Sequence, residues 1–581
     1  DGLIGVGATS FLSSVQRKER VIYYTAALNG SRENFFGPVI SAEPLSLNLQ
    51  VDQLDPERRG DGELGVAVQG VTAGTHRIRV ELNGVSLGVL SFDNGVAVQS
   101  TFPFQQALLY EGNNVVRLSA QGGSGDISLM DEIRLSYWRL FQVDDDQLKF
   151  SLPRDESAVV GTFSSPEIRL LDVTSHDNAV EVPAEIRGGR DRSPGRSGQV
   201  NGYKIRVRSA GRDRILRAAT TDQFERPGEI LMDSPSRWNG QSNEADLVII
   251  SHADFMSSVD PLITLRRSQG LSSVVVDVQD IYDEFSFGHK SPRALKEFLS
   301  HTQNEWRKVP RFVLLMGDAS FDPHGYLGLG QYDFVPTQLI DTYLMETASD
   351  DALVDFDNDG LAELPIGRIP ARTVAQATAM VSNIIQYGSA EASNKVLLVA
   401  DGRDPEYDFE SATAEIRKLI PSDYTVKTIV NRDKGSGSEE LIRQLLDGQW
   451  IVHYMGHGSV DLWSGDLLAA EGVKRLQNGP GWPLLIAMTC LNGYFHDPAV
   501  SSLAEQLLNS PGGVAAAWSS SGLTSASGQL SLSLQLFQDL FAPETQDATL
   551  GDLMLRAKAA IENTQVRRTW VLLGDPSMPI R

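Results

Sequence analysis

The chain has 581 residues, 41% of them hydrophobic, with a formal net charge of −24 and a single cysteine. That length exceeds what one core holds, so three or four domains are expected. The acidic balance argues against sequence-independent binding to nucleic acid or anionic lipid, the lone cysteine rules out an internal disulfide while leaving the compartment open, and no run of about eighteen apolar residues provides a membrane span.

The chain opens on Asp1-Gly2, with neither an initiator Met nor a basic-then-apolar leader, and reads as a processed or excised piece. From about Val21 to Phe141 apolar and polar residues alternate between turn signals. His76–Leu82, the Asn83-Gly84 turn and Val85–Phe92 form the clearest hairpin. Asn113–Ser119 and Glu132–Leu140 read as further strands, so residues 1–143 are expected to be a β-sandwich similar to jelly-roll, carbohydrate-binding-like modules. Such a sandwich either contacts glycan or protein or serves only as a packing piece, and the fold does not decide between them. Asp144-Asp145-Asp146 marks a linker, and strands recur at Ala158–Phe163, Glu167–Leu171, Tyr203–Val207 and Arg214–Ala218. Residues 144–242 are therefore a small β domain with a linker, interrupted by a Gly-, Arg- and Ser-rich loop, Arg187–Gly198, expected to be mobile and exposed.

Beyond Asn243 the pattern changes to strands alternating with helices, which predicts mostly parallel sheets. Residues 243–392 contain strands at Leu247–Ser251, Ser273–Val278 and Arg311–Met316, with a helix over Arg293–Asn304 opened by Ser291-Pro292. Residues 393–581 repeat the alternation, with strands at Lys395–Ala400, Thr425–Val430, Gly513–Trp518 and Thr569–Leu573.

Chemistry concentrates in Gln449–Phe495. Two short apolar runs, Trp450–Met455 and Pro483–Met488, have the continuous character of strands buried on both faces. The first breaks at Gly456-His457-Gly458 and the second at Thr489-Cys490. The segment between them is long enough for a right-handed crossover, which brings His457 and Cys490 to one sheet edge. That carboxyl edge is where open α/β sheets bind ligands. An ordinary thiol, with a pKa of about 8.5, is only slightly ionised at neutral pH. A neighbouring imidazole raises the thiolate fraction and can protonate a leaving amine. The glycines beside His457 let a substrate backbone approach, and the N–H groups of Gly458 and Cys490 can form an oxyanion hole. The expected reaction is acyl transfer at a peptide bond through a thioester. Taken alone, Cys490 is also a small buried hydrophobe. His453 sits mid-strand as a core histidine, and His496 follows the Cys loop without a required role.

A strand ending in His-Gly followed by one ending in Ala-x-x-Cys resembles the caspase–legumain–gingipain clan of cysteine peptidases. The blocks YMGHGS and AMTCLNGYF and the run Leu573-Gly574-Asp575-Pro576 resemble the gingipain family within it. So do Ile281-Tyr282-Asp283-Glu284-Phe285, Leu314–Asp318 and Ile366-Gly367-Arg368-Ile369-Pro370, which together span roughly Asn243 to Arg581. The resemblance implies a caspase-like α/β fold of two subdomains, only the second carrying Cys and His. It also implies endopeptidase activity on protein or peptide substrates and an extracellular or surface setting, with no cofactor needed for the chemistry.

Three further sites follow. Asp355, Asp357 and Asp359 stand at alternate positions before Gly360, a loop that offers oxygens to Ca²⁺. It is not an EF-hand, because Ile366 occupies the twelfth position, and it reads equally as an acidic, water-facing turn. Gingipain-like peptidases carry structural calcium, which favours the ion. The family also uses an acidic residue to orient the catalytic histidine, and the resemblance places that role on Asp350, with Asp351, Asp341 and Glu346 as competitors and a helix N-cap or calcium-loop flank as the structural alternative for Asp350. Finally, the resemblance makes the segment with Trp518 and Ser519 the wall of the pocket for the residue before the cut, with a core tryptophan as the other reading of Trp518. No acidic residue stands there, so the Arg or Lys preference of named gingipains is not carried over. Besides a secreted endopeptidase, the sequence admits a sortase-like acyl-transferase of the same family and a non-catalytic β-domain scaffold. Retention of both His457 and Cys490 argues against the scaffold.

Overall fold

The computed structural model describes residues 7–580 apart from 59, 176, 191–199, 231, 233–234, 390–392, 434, 436 and 477–481. The chain forms two compact units, Asp1–Ala27 with Asn34–Asp233, and Leu28–Glu33 with Ser234–Arg581.

The first unit is all β. Its larger part pairs a five-stranded sheet, built on Ser10–Arg17, Ser128–Leu140, Asp61–Gly70 and Ala97–Gln105 with Val39–Ile40, with a four-stranded sheet of Leu45–Val51, Gly112–Ala120, Thr75–Leu82 and Val85–Asp93. Alternate residues of these strands, among them Leu64, Val66, Ile78, Val80, Val116 and Leu118, meet in one core. The expected hairpin turns through Asn83 and Gly84, both at positive φ (50° and 82°), the backbone that a two-residue turn between right-twisted strands requires. A second pair of small sheets packs around Phe150, Val160, Phe163, Ile205 and Leu216. Of the loop expected over Arg187–Gly198, the start belongs to a strand, Glu185–Arg190, and residues 191–199 lie outside the described residues.

The second unit is organised on one ten-stranded sheet. In chain order its strands are β1 Leu247–Ser251, β2 Ser273–Asp277, β3 Phe312–Met316, β4 Ile366–Ile369, β5 Lys395–Asp401, β6 Thr425–Asn431, β7 Ile451–Met455, β8 Leu484–Met488, β9 Ala516–Ser520 and β10 Trp570–Leu573. In space they run β2-β1-β3-β4-β10-β9-β8-β7-β5-β6. Every pairing is parallel except β9 with β10. The two α/β halves seen in the sequence thus share one sheet, and the last strand of the chain crosses back to pair with β4 of the first half. Strands β1, β3, β7, β8 and β9 are buried along their whole length, which explains why they read as apolar runs without alternation, broken only by Ser251, His453, Ser519 and Ser520.

Two of the sequence blocks explain the seam. Gly574, at φ 149°, turns the chain after β10, and its carbonyl oxygen comes so close to Gly367 that a Cβ there would sit 2.3 Å from it. Asp575 is fully buried and receives Arg266 Nε at 2.8 Å, while accepting the Ser577 N–H at 2.8 Å. A buried ion pair with its remaining lone pair satisfied holds the end of β10 in place.

Candidate active site

Strands β7 and β8 are neighbours in register, with Tyr454 opposite Ala487 and Met455 opposite Met488. His457 and Cys490 each stand two residues beyond that last pair, so both leave the same carboxyl edge of the sheet side by side. Cys490 is partly buried. After it the chain turns sharply: Leu491 adopts φ 62°, and the Asn492 N–H closes back on the Cys490 carbonyl at 2.8 Å. A bulky non-glycine residue in the left-handed region is uncommon and marks a turn held by its surroundings. The Cys490 sulfur faces Thr524, whose N–H approaches at 3.4 Å, and the Gln529 amide at 3.9 Å. Among the described residues, neither the Gly458 nor the Cys490 N–H donates to a protein acceptor.

The main chain of His457 is fixed on both sides. Its N–H donates to Asp401 Oδ2 at 2.8 Å, and its carbonyl accepts the Tyr454 hydroxyl at 2.6 Å. Burial pushes the Asp401 carboxyl above its usual range, against the opposing pull of the His457 N–H and the Asn431 amide. The glycines on either side have an internal reason. A Cβ at Gly456 would lie 2.5 Å from the Tyr454 hydroxyl and 2.7 Å from the Asp401 carboxylate, and one at Gly458 would lie 2.6 Å from Thr489 Oγ1. They make room for the protein's own groups, a tighter demand than the substrate access expected from the sequence.

The imidazole of His457 is more than half exposed, lies edge-on to Phe409 and pairs through Nε2 with Asp404 Oδ2 at 2.7 Å. Asp404 sits in the turn after β5, where its other oxygen accepts the N–H groups of Glu406 (2.8 Å) and Tyr407 (2.7 Å). The Tyr407 N–H, then the His457 ring, hold this carboxyl below the usual carboxylate range.

Asp350, expected to orient the histidine, does something else. Both of its oxygens are taken by the buried Arg368 guanidinium, at 2.8 and 2.7 Å, and Arg368 also donates to the carbonyls of Gly317 and Val335. This fork-to-fork pair ties β4 to the core of the first half of the sheet. Asp351 pairs with Lys558, and Asp341 and Glu346 stand opposite each other where the first strand of the hairpin Gln338–Asp341 with Glu346–Ser349 ends and the second begins. The carboxylate that pairs with His457 is Asp404. It was legible in principle, because β5 adjoins β7 and the carboxyl-edge rule that selects His457 and Cys490 also selects the residues after Ala400.

Trp518 and Ser519 are fully buried within β9, with Trp518 opposite Ile486 and Leu572, and the small cavity that Trp518 lines with Asp351, Met554 and Lys558 does not include Cys490. The part of that segment that reaches Cys490 is a few residues later: Gly522 accepts the Leu491 N–H at 3.2 Å, and Thr524 meets the sulfur. His453 is fully buried, bonded through Nε2 to Ser533 Oγ at 2.8 Å, and its pKa is pushed down to about 3 by burial. His496 is likewise buried and depressed to about 3, with Arg368 adding to the effect, and does not rim a cleft.

In the acidic loop, Asp355, Asp357 and Glu363 bring one oxygen each within 4.8 Å of one another. Asp359 falls outside this group, and its carboxylate accepts the Leu361 N–H at 2.8 Å. Burial, then the charges of Asp357 and Asp355, raise the Glu363 carboxyl. Three hard oxygens crowded against their own repulsion suit a divalent cation of the Ca²⁺ type.

A model of peptidase family C25 matches residues 240–581. Comparison with curated protein sequences returns no match. Among solved structures, the complex of the pro- and mature domains of RgpB from Porphyromonas gingivalis is similar at 20% identity and a TM-score of 0.50, over 58% of this chain and 79% of that one. Dimeric latent PorU from Porphyromonas gingivalis is similar at 16% identity and a TM-score of 0.55, over 99% of this chain and 52% of that one, so the chain spans about half the length of PorU. Likeness at these identities carries the fold; the family rests on the matched model, which covers more than half of the chain and includes both the His-Gly and the Thr-Cys strand ends. The chain belongs to peptidase family C25, the gingipain family of cysteine-type peptidases.

Proposed function

We propose that the second unit is an endopeptidase that cleaves peptide bonds through a thioester on Cys490. The observation that carries this reading is the in-register exit of Cys490 and of the Asp404-paired His457 from adjacent parallel strands. The sulfur, as thiolate, attacks the substrate carbonyl carbon, and the oxyanion that forms meets the N–H groups of Gly458 and Cys490. The C–N bond then breaks and the departing amine takes a proton from the His457 imidazolium. Water, deprotonated by the same ring, attacks the thioester and releases the acid and the thiolate. Asp404 fixes the orientation of the ring. The substrates are proteins or peptides, and an extracellular or cell-surface setting agrees with the family. Among the described residues no helix is long and apolar enough to cross a membrane. The same thioester can pass to an amine instead of water, so products formed with and without an added amine separate hydrolysis from sortase-like transfer. The deciding experiment for the reading itself is labelling with a peptidyl thiol-directed probe. Labelling of Cys490 faster than by a plain alkylating agent supports it, and equal rates oppose it.

Two expected results follow from the acid assignments. Asp404→Asn lowers kcat by roughly 10- to 100-fold, less than the ~10⁴-fold known for a buried orienting aspartate, because solvent screens this pair. Asp350→Asn leaves Arg368 buried without its partner and costs about 3–5 kcal/mol of stability, with turnover per active site unchanged. Thermal melts alongside active-site-titrated kinetics check both; the opposite pattern returns Asp350 to the orienting role.

We also propose that Asp355, Asp357 and Glu363 hold a structural Ca²⁺, without a part in the chemistry. A ligand bound only by the folded state raises stability by mass action, so chelator lowers Tm and added Ca²⁺ restores it, while Glu363→Gln abolishes the difference. An identical melt with and without chelator in the unmutated protein counts against the ion.

A further inference from the structure

Between the two reactive strand ends lies one buried amide. The Asn492 side chain is fully buried. Its Nδ2 donates to the carbonyls of Ser459 at 2.6 Å and Leu462 at 3.4 Å, and its Oδ1 accepts the Trp463 indole N–H at 2.7 Å. Both ends of the loop that follows Gly458 are therefore fastened to the turn that follows Cys490. The Asn492 amide also lies 3.3 Å from where a Gly458 Cβ would be. Trp463 in turn stacks on Tyr454, with ring centroids 4.0 Å apart and planes 10° from parallel, and the Tyr454 hydroxyl holds the His457 carbonyl. One continuous set of contacts thus runs from the nucleophile's turn, through Asn492, Trp463 and Tyr454, to the main chain of His457. With both donors and the acceptor engaged in a dry site, the amide has one orientation, and so does the loop it holds.

We propose that Asn492 is a positioning residue that sets the Gly458 N–H against Cys490, an inference that rests on the thioester reading above. It touches neither substrate nor the reacting atoms. Its contribution is the geometry of the oxyanion donor, which a displacement of well under the length of a hydrogen bond impairs.

The test uses the full chain with Asn492→Asp and Asn492→Ala. Both remove the two N–H donors; only the first adds a charge, and it keeps an acceptor for Trp463. Trp463→Phe, which deletes the indole N–H and keeps a stacked ring, is the milder third variant should the others fold poorly. Rates are expressed per titrated active site, beside the rate of Cys490 alkylation by a small neutral reagent, a reaction that forms no oxyanion. The expected result is a fall in kcat of roughly 10²-fold, comparable to loss of an oxyanion donor, in both Asn492 variants and a smaller fall in Trp463→Phe, with KM and alkylation rate unchanged. The proposal is overturned by turnover per site equal to the unmutated enzyme, by a loss confined to Asn492→Asp, or by alkylation falling in step with turnover. An unmutated enzyme whose Cys490 takes no peptidyl probe would instead remove the thioester reading. An active enzyme with indifferent Asn492 variants removes only this inference.

Discussion

Cys490→Ala loses peptide hydrolysis by about 10⁵–10⁶-fold, the scale seen when the nucleophile of a covalent mechanism is removed, and keeps its thermal stability. The stability half of the expectation comes from the sulfur's surroundings. It is only partly buried, and its polar neighbours stand at 3.4 to 3.9 Å, so deleting one atom removes weak contacts and leaves no deep cavity. The turn itself depends on backbone groups: Leu491 N–H to Gly522, Asn492 N–H to Cys490 and Gly493 N–H to Ser520 all survive the change. The chain's single cysteine makes the chemistry easy to follow, since any thiol-directed label has one place to go. Melts, labelling stoichiometry and kinetics on one preparation decide the matter. A folded Cys490→Ala enzyme with near-normal turnover would take the nucleophile away from this position.

The same comparison shows which kinds of information the sequence carries. Strands β7 and β8 are buried on both faces and mostly apolar, so their ends are visible as breaks at Gly456-His457-Gly458 and Thr489-Cys490, with His453 as the one polar residue inside. Orientation of the histidine was not visible in that way. The carboxylate that pairs with His457 lies fifty-three residues earlier, in the turn after a strand that is adjacent only because of sheet order, and carboxylates are common enough that Asp350 offered an equally plausible motif. Asp350 is instead spent on Arg368, and nothing in a local window distinguishes a buried ion-pair partner from a carboxylate that pairs with a histidine. Trp518 illustrates a second limit. Its strand ends at Ser520, two residues beyond the expected stop, and that shift moves the indole from a cleft wall into the sheet. Strand β10 shows a third: its pairing with β4 joins residues some two hundred positions apart, a relation carried by Gly367, Gly574 and the Arg266–Asp575 pair and by no periodicity.

His457→Ala lowers kcat by about 10²–10⁴-fold with little effect on Tm, whereas His453→Ala does the reverse. The two rings sit four residues apart on one chain segment and differ in everything that matters. That of His457 is more than half exposed, paired with a carboxylate and placed beyond the strand end. That of His453 is fully buried mid-strand, edge-on to Phe537 and bonded to Ser533, with burial holding its pKa near 3, so it stays neutral across the working range and cannot act as a base with a useful protonation equilibrium. Removing His457 leaves its main chain anchored by Asp401 and Tyr454, so the oxyanion donor at Gly458 keeps its place and some rate over water remains. Removing His453 empties a ring-sized volume between β7 and the helix Ala526–Leu540 and leaves the Ser533 hydroxyl unpaired, at a cost of about 2–4 kcal/mol. Since that helix begins beside the Cys490 sulfur, turnover in the His453 variant must be expressed per titrated site to separate fewer folded molecules from slower ones. A His453→Ala enzyme that melts normally but turns over slowly, together with a His457→Ala enzyme that unfolds early but keeps its rate, would exchange the roles of the two histidines.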